Sequence, residues 1–186
     1  MVALQIDTSQ LKKMTSTLAG IPDGVRKALV PAINRALSSG QTTVKREIRK
    51  EYLIKAKDIP TKLHRARYAS PVGHVRIDQG MLGVDKFSYK PKAVQKRKNK
   101  KPIFVQIKRS GGGIVARSFV LSGKGPFQRR SAAPRLPIRK LLAIGAPIMA
   151  TQPHVGPAVN KAMGDTLAKR IDHEIKRVLA SYGGHS

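Results

Sequence analysis

From Val159 to Leu179 every fourth residue is large and apolar: Val159, Met163, Leu167, Ile171, Ile175 and Leu179. Only an α-helix brings such a row onto one face, and a row this long must be covered by something else in the fold. Asp165 with Lys169 and Asp172 with Lys176 add acid-before-base pairs four residues apart, Pro157 suits the first turn, and Gly183-Gly184 stops the helix, which spans about 155–182. A second row, Val25, Leu29, Ile33, Leu37, Val44 and Ile48, has Ala28, Ala32 and Ala36 beside it and Lys45, Arg46, Arg49 and Lys50 largely opposite. It predicts a long amphipathic helix over about 24–52. Pro31 lies inside that span without the N–H a helix interior uses, so the helix either kinks near 27–31 or starts close to 30. Two shorter helices complete the set. One covers about 9–20, with Leu11, Met14 and Leu18 on one face; the other covers about 59–67, with Asp58 as its cap and Pro60 in its first turn.

Between these helices the period changes. Val72–Ile77 and Met81–Val84 read as strands around the turn-forming Asp78-Gln79-Gly80. Ile103–Ile107 and Ile114–Leu121 read as a hairpin with Ser110-Gly111-Gly112-Gly113 at its tip, and Leu136–Leu142 as one more strand. The fold class is therefore α+β, with long amphipathic helices packed on a small, mainly antiparallel sheet over about 72–142. The length fits a single domain, 1–186. With only four Tyr, four Phe and no Trp, its core must be aliphatic.

Charge restricts what such a domain does. The chain carries 37 Lys+Arg against 10 Asp+Glu, a formal net charge of +27, which repels itself unless an anion or an acidic surface lies close by. Between Asp85 and Asp165 there is no acidic residue, and those 79 positions hold 18 Lys+Arg, two-thirds of the excess. Within them Lys90–Lys101 has seven basic residues in twelve and almost nothing to bury, which predicts a basic loop or arm at about 88–102. The candidate contacts to DNA or an acidic partner are Lys90, Lys92, Lys96, Arg97, Lys98, Lys100, Lys101, Lys108, Arg109, Lys124, Arg129 and Arg130. The basic run itself holds no aromatic, and only Phe87, Tyr89 and Phe104 lie near it, so base stacking is not its chemistry. Contact through phosphates, without sequence preference, is.

Catalytic readings find little support. The five histidines are scattered, and the absence of cysteine removes thiolate nucleophiles, thiolate zinc sites and disulfides. Ser122-Gly123-Lys124-Gly125 lacks the spacing of a phosphate loop, and Asp58, Asp78 and Asp85 are too scattered for a two-metal centre. The chain is expected to be no enzyme and to need no cofactor, metal or small-molecule substrate. A helix-turn-helix built from 24–52 and 59–67, with His64, Arg65 and Arg67 as readers, has too long a link and too long a first helix. No apolar run approaches the ~20 residues of a membrane span, and Met1–Asp7 does not have the layout of a secretion signal, so the chain reads as soluble.

Particular residues carry a resemblance. The run Val30-Pro-Ala-Ile-Asn-Arg-Ala-Leu-Ser-Ser38, then Thr42–Arg49, Ile54-Lys-Ala-Lys-Asp-Ile-Pro-Thr-Lys-Leu63 and Arg65-Ala-Arg67 resemble the N-terminal half of the phage minor tail protein Z family. Phe119, Phe127-Gln-Arg-Arg130, Leu136-Pro-Ile-Arg-Lys140 and the closing helix extend the likeness over about 10–180. The resemblance implies a structural virion protein, a neck or tail-completion subunit of long-tailed phages that assembles as a homo-oligomeric ring of six. It implies head-closure and tail-terminator proteins as partners, double-stranded DNA in the lumen, and a place in the virion after assembly in the host cytoplasm. The rival from the residues alone is a sequence-independent nucleic-acid-binding protein acting free of a virion.

Overall fold

The structure, a computed structural model, describes residues 8–77, 80–96, 101–129 and 136–183. The chain divides into two compact units, one of 1–45, 61–77 and 152–186, the other of 46–60 and 78–151.

The first unit is built from α1 (Thr8–Thr17), most of α2 (Gly24–Glu51) and α4 (Val155–Gly183), with a two-stranded ribbon of β1 (Lys62–His64) and β2 (His74–Arg76). Met14 of α1 and Leu18 just beyond it, Ala28, Ala32, Ile33, Ala36 and Leu37 of α2, and Val159, Met163, Leu167, Ile171 and Ile175 of α4 make its core. The apolar row of α4 is buried through Ile175; at the last turn Val178 takes the inward position and Leu179 is 40% exposed. The small row Ala28, Ala32, Ala36 ends on Gly40, where a Cβ would stand 2.5 Å from Met163 Sδ. Glycine is costly inside a helix, and here it lets α4 come close.

Pro31 neither starts nor ends α2, which runs unbroken from Gly24 to Glu51. The carbonyl that its missing N–H would have served is that of Lys27, four residues earlier. Arg177 of α4 donates to that oxygen from Nη2 at 3.4 Å, and its Nε donates to Oε2 of the buried Glu174 at 2.6 Å. A buried carboxylate thus aims a guanidinium at the gap in the helix ladder.

The short helix expected over 59–67 does not form. Ala56–Asp58 is a single 3-10 turn, and the following residues extend into β1, paired Lys62 to Arg76, Leu63 to Val75 and His64 to His74. The physical reason lies in α2: the Asn34 side chain accepts from the Ala66 N–H at 2.8 Å and donates to the Ala66 carbonyl at 3.1 Å, claiming the two groups a helix would have used. Gln41 donates from Nε2 to the Thr61 carbonyl at 3.3 Å and to its hydroxyl at 3.0 Å, and reciprocal bonds between Arg67 and Ser70 close a tight turn between the strands.

The second unit contains β3 (Met81–Gly83), β4 (Ser88–Lys90), β5 (Ile103–Lys108), β6 (Gly111–Val115), β7 (Ser118–Leu121), β8 (Gly125–Arg129), β9 (Ile138–Lys140), β10 (Leu142–Gly145) and the short α3 (Ala146–Ala150). All pairings are antiparallel, in sheets ordered β4-β5-β6, β7-β8-β9 and β3-β10. Tyr52, Ile54, Leu82, Val84, Phe87, Ile103, Val105 and Met149 fill its core. Helices with small antiparallel sheets bear out the α+β class.

Four details differ from the sequence reading. β2 and β3 do not pair with each other, because β2 is taken by β1 and β3 by β10. The β5–β6 hairpin turns at Arg109-Ser110, and the three glycines lie in β6 instead of at the tip. Gln106 and Ile107 bulge opposite Gly112, whose Cβ would sit 2.6 Å from the Val105 carbonyl oxygen, so the bulge needs a glycine. The second hairpin strand also splits, since Arg117 at φ 56° turns the chain into β7 and a new sheet. The single strand read over Leu136–Leu142 divides likewise into β9 and the start of β10.

Candidate functional site

Eight of the twelve basic candidates are described, and all eight belong to the second unit. Arg97, Lys98, Lys100 and Arg130 lie outside the described residues. Lys90 is not part of a free arm: it sits in β4 opposite Phe104, exposed, and irregular chain begins only after it. Lys92, Lys96 and Lys101 are exposed, and the Lys101 N–H donates to Gln95 Oε1 at 2.7 Å.

Lys108 and Arg109 are engaged within the unit. Lys108 Nζ pairs with Glu51 at 2.8 Å and lies 5.6 Å from the Tyr52 ring centre, and the bond to Glu51 holds its ammonium above the ordinary value of 10.5. Arg109 donates from Nε to the Arg49 carbonyl at 3.0 Å, while its N–H donates to Glu51 O at 2.8 Å. These bonds fasten the β5–β6 turn to the last turn of α2, a positional role that their charge alone did not reveal.

Lys101 and Arg129 line one of two neighbouring clefts and Lys92 and Lys124 the other, while Lys90 and Lys96 line neither. One, of about 620 Å³, is lined by Lys101, Arg117 and Arg129 above an apolar wall that includes Phe119 and Ile138. Arg129 is half-buried, its guanidinium carbon 5.8 Å from the Phe119 ring centre. The other, of about 950 Å³, is lined by Lys92, Lys124 and Lys140 with Asp85. Val94, Val120 and Leu121 line both, so the clefts share a wall. Among the described residues Asp85 is the one acid lining either cleft, and it is paired with Lys140 at 2.9 Å. Each cleft is thus a concave, hydrogen-bond-donating surface with a net positive field, suited to oxyanions of a polyanion.

Ser122-Gly123-Lys124-Gly125 shapes the second cleft as the turn between β7 and β8. Gly123 and Gly125 have φ of 68° and 83°, and a Cβ on Gly125 would meet Asp85 Cβ at 3.0 Å. Positive backbone dihedrals explain both glycines without a phosphate loop. Arg117 and Lys140 were not among the sequence candidates. They lie in the acid-free stretch, but only strand pairing shows that they face these clefts. Among the described residues no group of three or more His, Cys, Asp or Glu is placed to hold a metal ion, and no helix is long and apolar enough to cross a membrane.

In comparisons with known proteins, the family model described as prophage minor tail protein Z matches residues 9–182. No curated protein and no solved structure matches the chain.

Proposed function

The chain belongs to the prophage minor tail protein Z family, and from that membership we propose that it is a ring-forming neck or tail-completion subunit joining phage head and tail around the DNA channel. The family makes it a structural protein of the phage tail, carried in the virion. The observation that carries the finer reading is the clustering of Lys92, Lys124 and Lys140, and of Lys101, Arg117 and Arg129, in clefts where Asp85 is the single acid among the described residues. A positive concave surface without base-reading chemistry suits a partner met through its backbone phosphates. Charge repeated around a ring becomes stable where DNA or acidic head-closure and tail-terminator subunits neutralise it. No step of this role calls for catalysis.

The test is complementation of a prophage lacking this gene. Lys96, Arg97, Lys98, Lys100 and Lys101 changed together to Ser, or Lys92 and Lys124 changed to Ser, should give folded protein but particles that fail to join or to keep their DNA. Normal infectious titre from both variants would remove the role assigned to this surface. Imaging of wild-type particles checks the location: density for the chain away from the head–tail junction would refute the neck reading.

A further inference from the structure

We propose that the outer edge of β6 docks a second copy of this chain by strand pairing, which rests on the ring reading above and names the contact that closes it. β6 ends the sheet ordered β4-β5-β6, and among the described residues β5 is its one strand partner. The N–H and C=O groups on the outer side of such a strand are a template for another strand. Lysine and proline are the usual blocks to pairing at an edge, and residues 110–116 contain neither. Gly111 to Ile114 are all exposed. A Cβ on Gly111 or Gly113 would meet nothing within 4 Å, so a second backbone has room to approach there.

The strand edge borders an open cleft of about 610 Å³, lined by residues 111–115 together with Val84, Val105, Leu141 and Leu142. Ile114 is 69% exposed and Leu142 49%, and Phe104, opposite Ile114 in the sheet, is exposed as well. Large apolar side chains exposed around one cleft mark a contact surface. Among the described residues Lys108 is the one charged side chain lining it, and Glu51 holds that ammonium at 2.8 Å. Charge also selects the partner. Between Asp85 and Asp165 the two longest runs without Lys or Arg are 110–116 and 141–160, and both contribute to this cleft. The first run outreaches β6 by a single residue at each end. A nucleic acid or an acidic protein is drawn to the cations and gains nothing electrostatic from a neutral edge. Two copies at +27 each repel one another, and the contact that adds least to that repulsion is one without charge.

The experiment uses the purified full chain, followed by sedimentation over a range of protein concentration and salt, with amide hydrogen exchange read in parallel. Wild type should associate, and more tightly as salt rises from about 0.05 M to about 0.5 M, because screening weakens the repulsion between copies. Amides of residues 111–115 that exchange fast in the dilute monomer should slow on association. Ile114→Lys and Leu142→Lys should each raise the dissociation constant about tenfold or more, since they set like charges across the contact. Val72→Lys adds the same charge at an exposed apolar residue outside this cleft and should associate as wild type does. The two cleft variants are made separately, so one that misfolds by circular dichroism leaves the other to decide, and the exchange measurement needs neither. A wild type that stays monomeric, or that associates less as salt rises, would overturn the proposal. So would an equal loss in Val72→Lys, or slow exchange throughout 111–115 already in the monomer, which would mean that the chain covers its own edge. Association indifferent to all three substitutions would overturn this edge and leave the ring standing, whereas particle images with a single copy at the junction would remove the ring itself.

Discussion

The Lys27 carbonyl lacks its helical donor because residue 31 is proline, and Arg177 supplies one from another helix. Arg177→Ala should therefore cost about 1–3 kcal/mol, from the lost bond and from Glu174 left buried without its cation. Pro31→Ala restores the backbone donor, so Arg177→Ala should cost measurably less in that background. A double-mutant cycle in urea reads the coupling, and strict additivity would disprove the link. Glu47 offers a second test. Its carboxylate is 3% exposed, and hydrogen bonds, first from Lys50 at 2.6 Å and then from Arg46, hold it below its ordinary 4.5. A carboxyl whose folded value is depressed contributes stability that is present above the unfolded value and is lost as pH falls through the folded one. Wild type should thus lose stability below about pH 4.5 more steeply than Glu47→Gln, as followed by denaturation midpoints from pH 6 downward.

At the scale of elements, the bulge opposite Gly112 and the clamp from Asn34 decide where strands run. Gly112→Val should destabilise by about 1–3 kcal/mol, because a side chain there meets the Val105 carbonyl. The same change at exposed Gly111, where a Cβ meets nothing within 4 Å, should cost much less. Thermal unfolding of the two variants compares them directly. The long helices α2 and α4 were legible in the sequence because local periodicity sets a helix, and Pro31 was overridden only by tertiary contacts. The ribbon was half legible: β2 lies within the strand read over Val72–Ile77, but its partner β1 was read as helix. Lys62-Leu63-His64 looks helical beside Asp58 and Pro60, and only Asn34, 32 residues away from Ala66, takes the backbone bonds that a helix would need. His64 and His74 accordingly read as scattered until strand pairing stacked them. The clefts were half legible: the acid-free stretch marks their charge, but which of its cations face inward is fixed by non-local pairing such as Phe127 with Lys140.

For the whole molecule, +27 is a strain on any compact state at low ionic strength. Screening shortens the range of that repulsion from about 30 Å at 0.01 M to about 8 Å at 0.15 M. The thermal midpoint should therefore rise over this interval, even though exposed pairs such as Lys13–Asp172 weaken. A midpoint that falls with salt would mean that attractive pairs dominate. The division into two units has a further consequence, in the order of synthesis. The second unit has all its residues once Thr151 is made, whereas the first still waits for 152–186. At ~5–20 residues per second, that wait lasts a few seconds. During it the apolar face of α1 has no α4 to pack against, so a nascent chain should offer its greasiest surface to ribosome-associated chaperones late, from segments translated early.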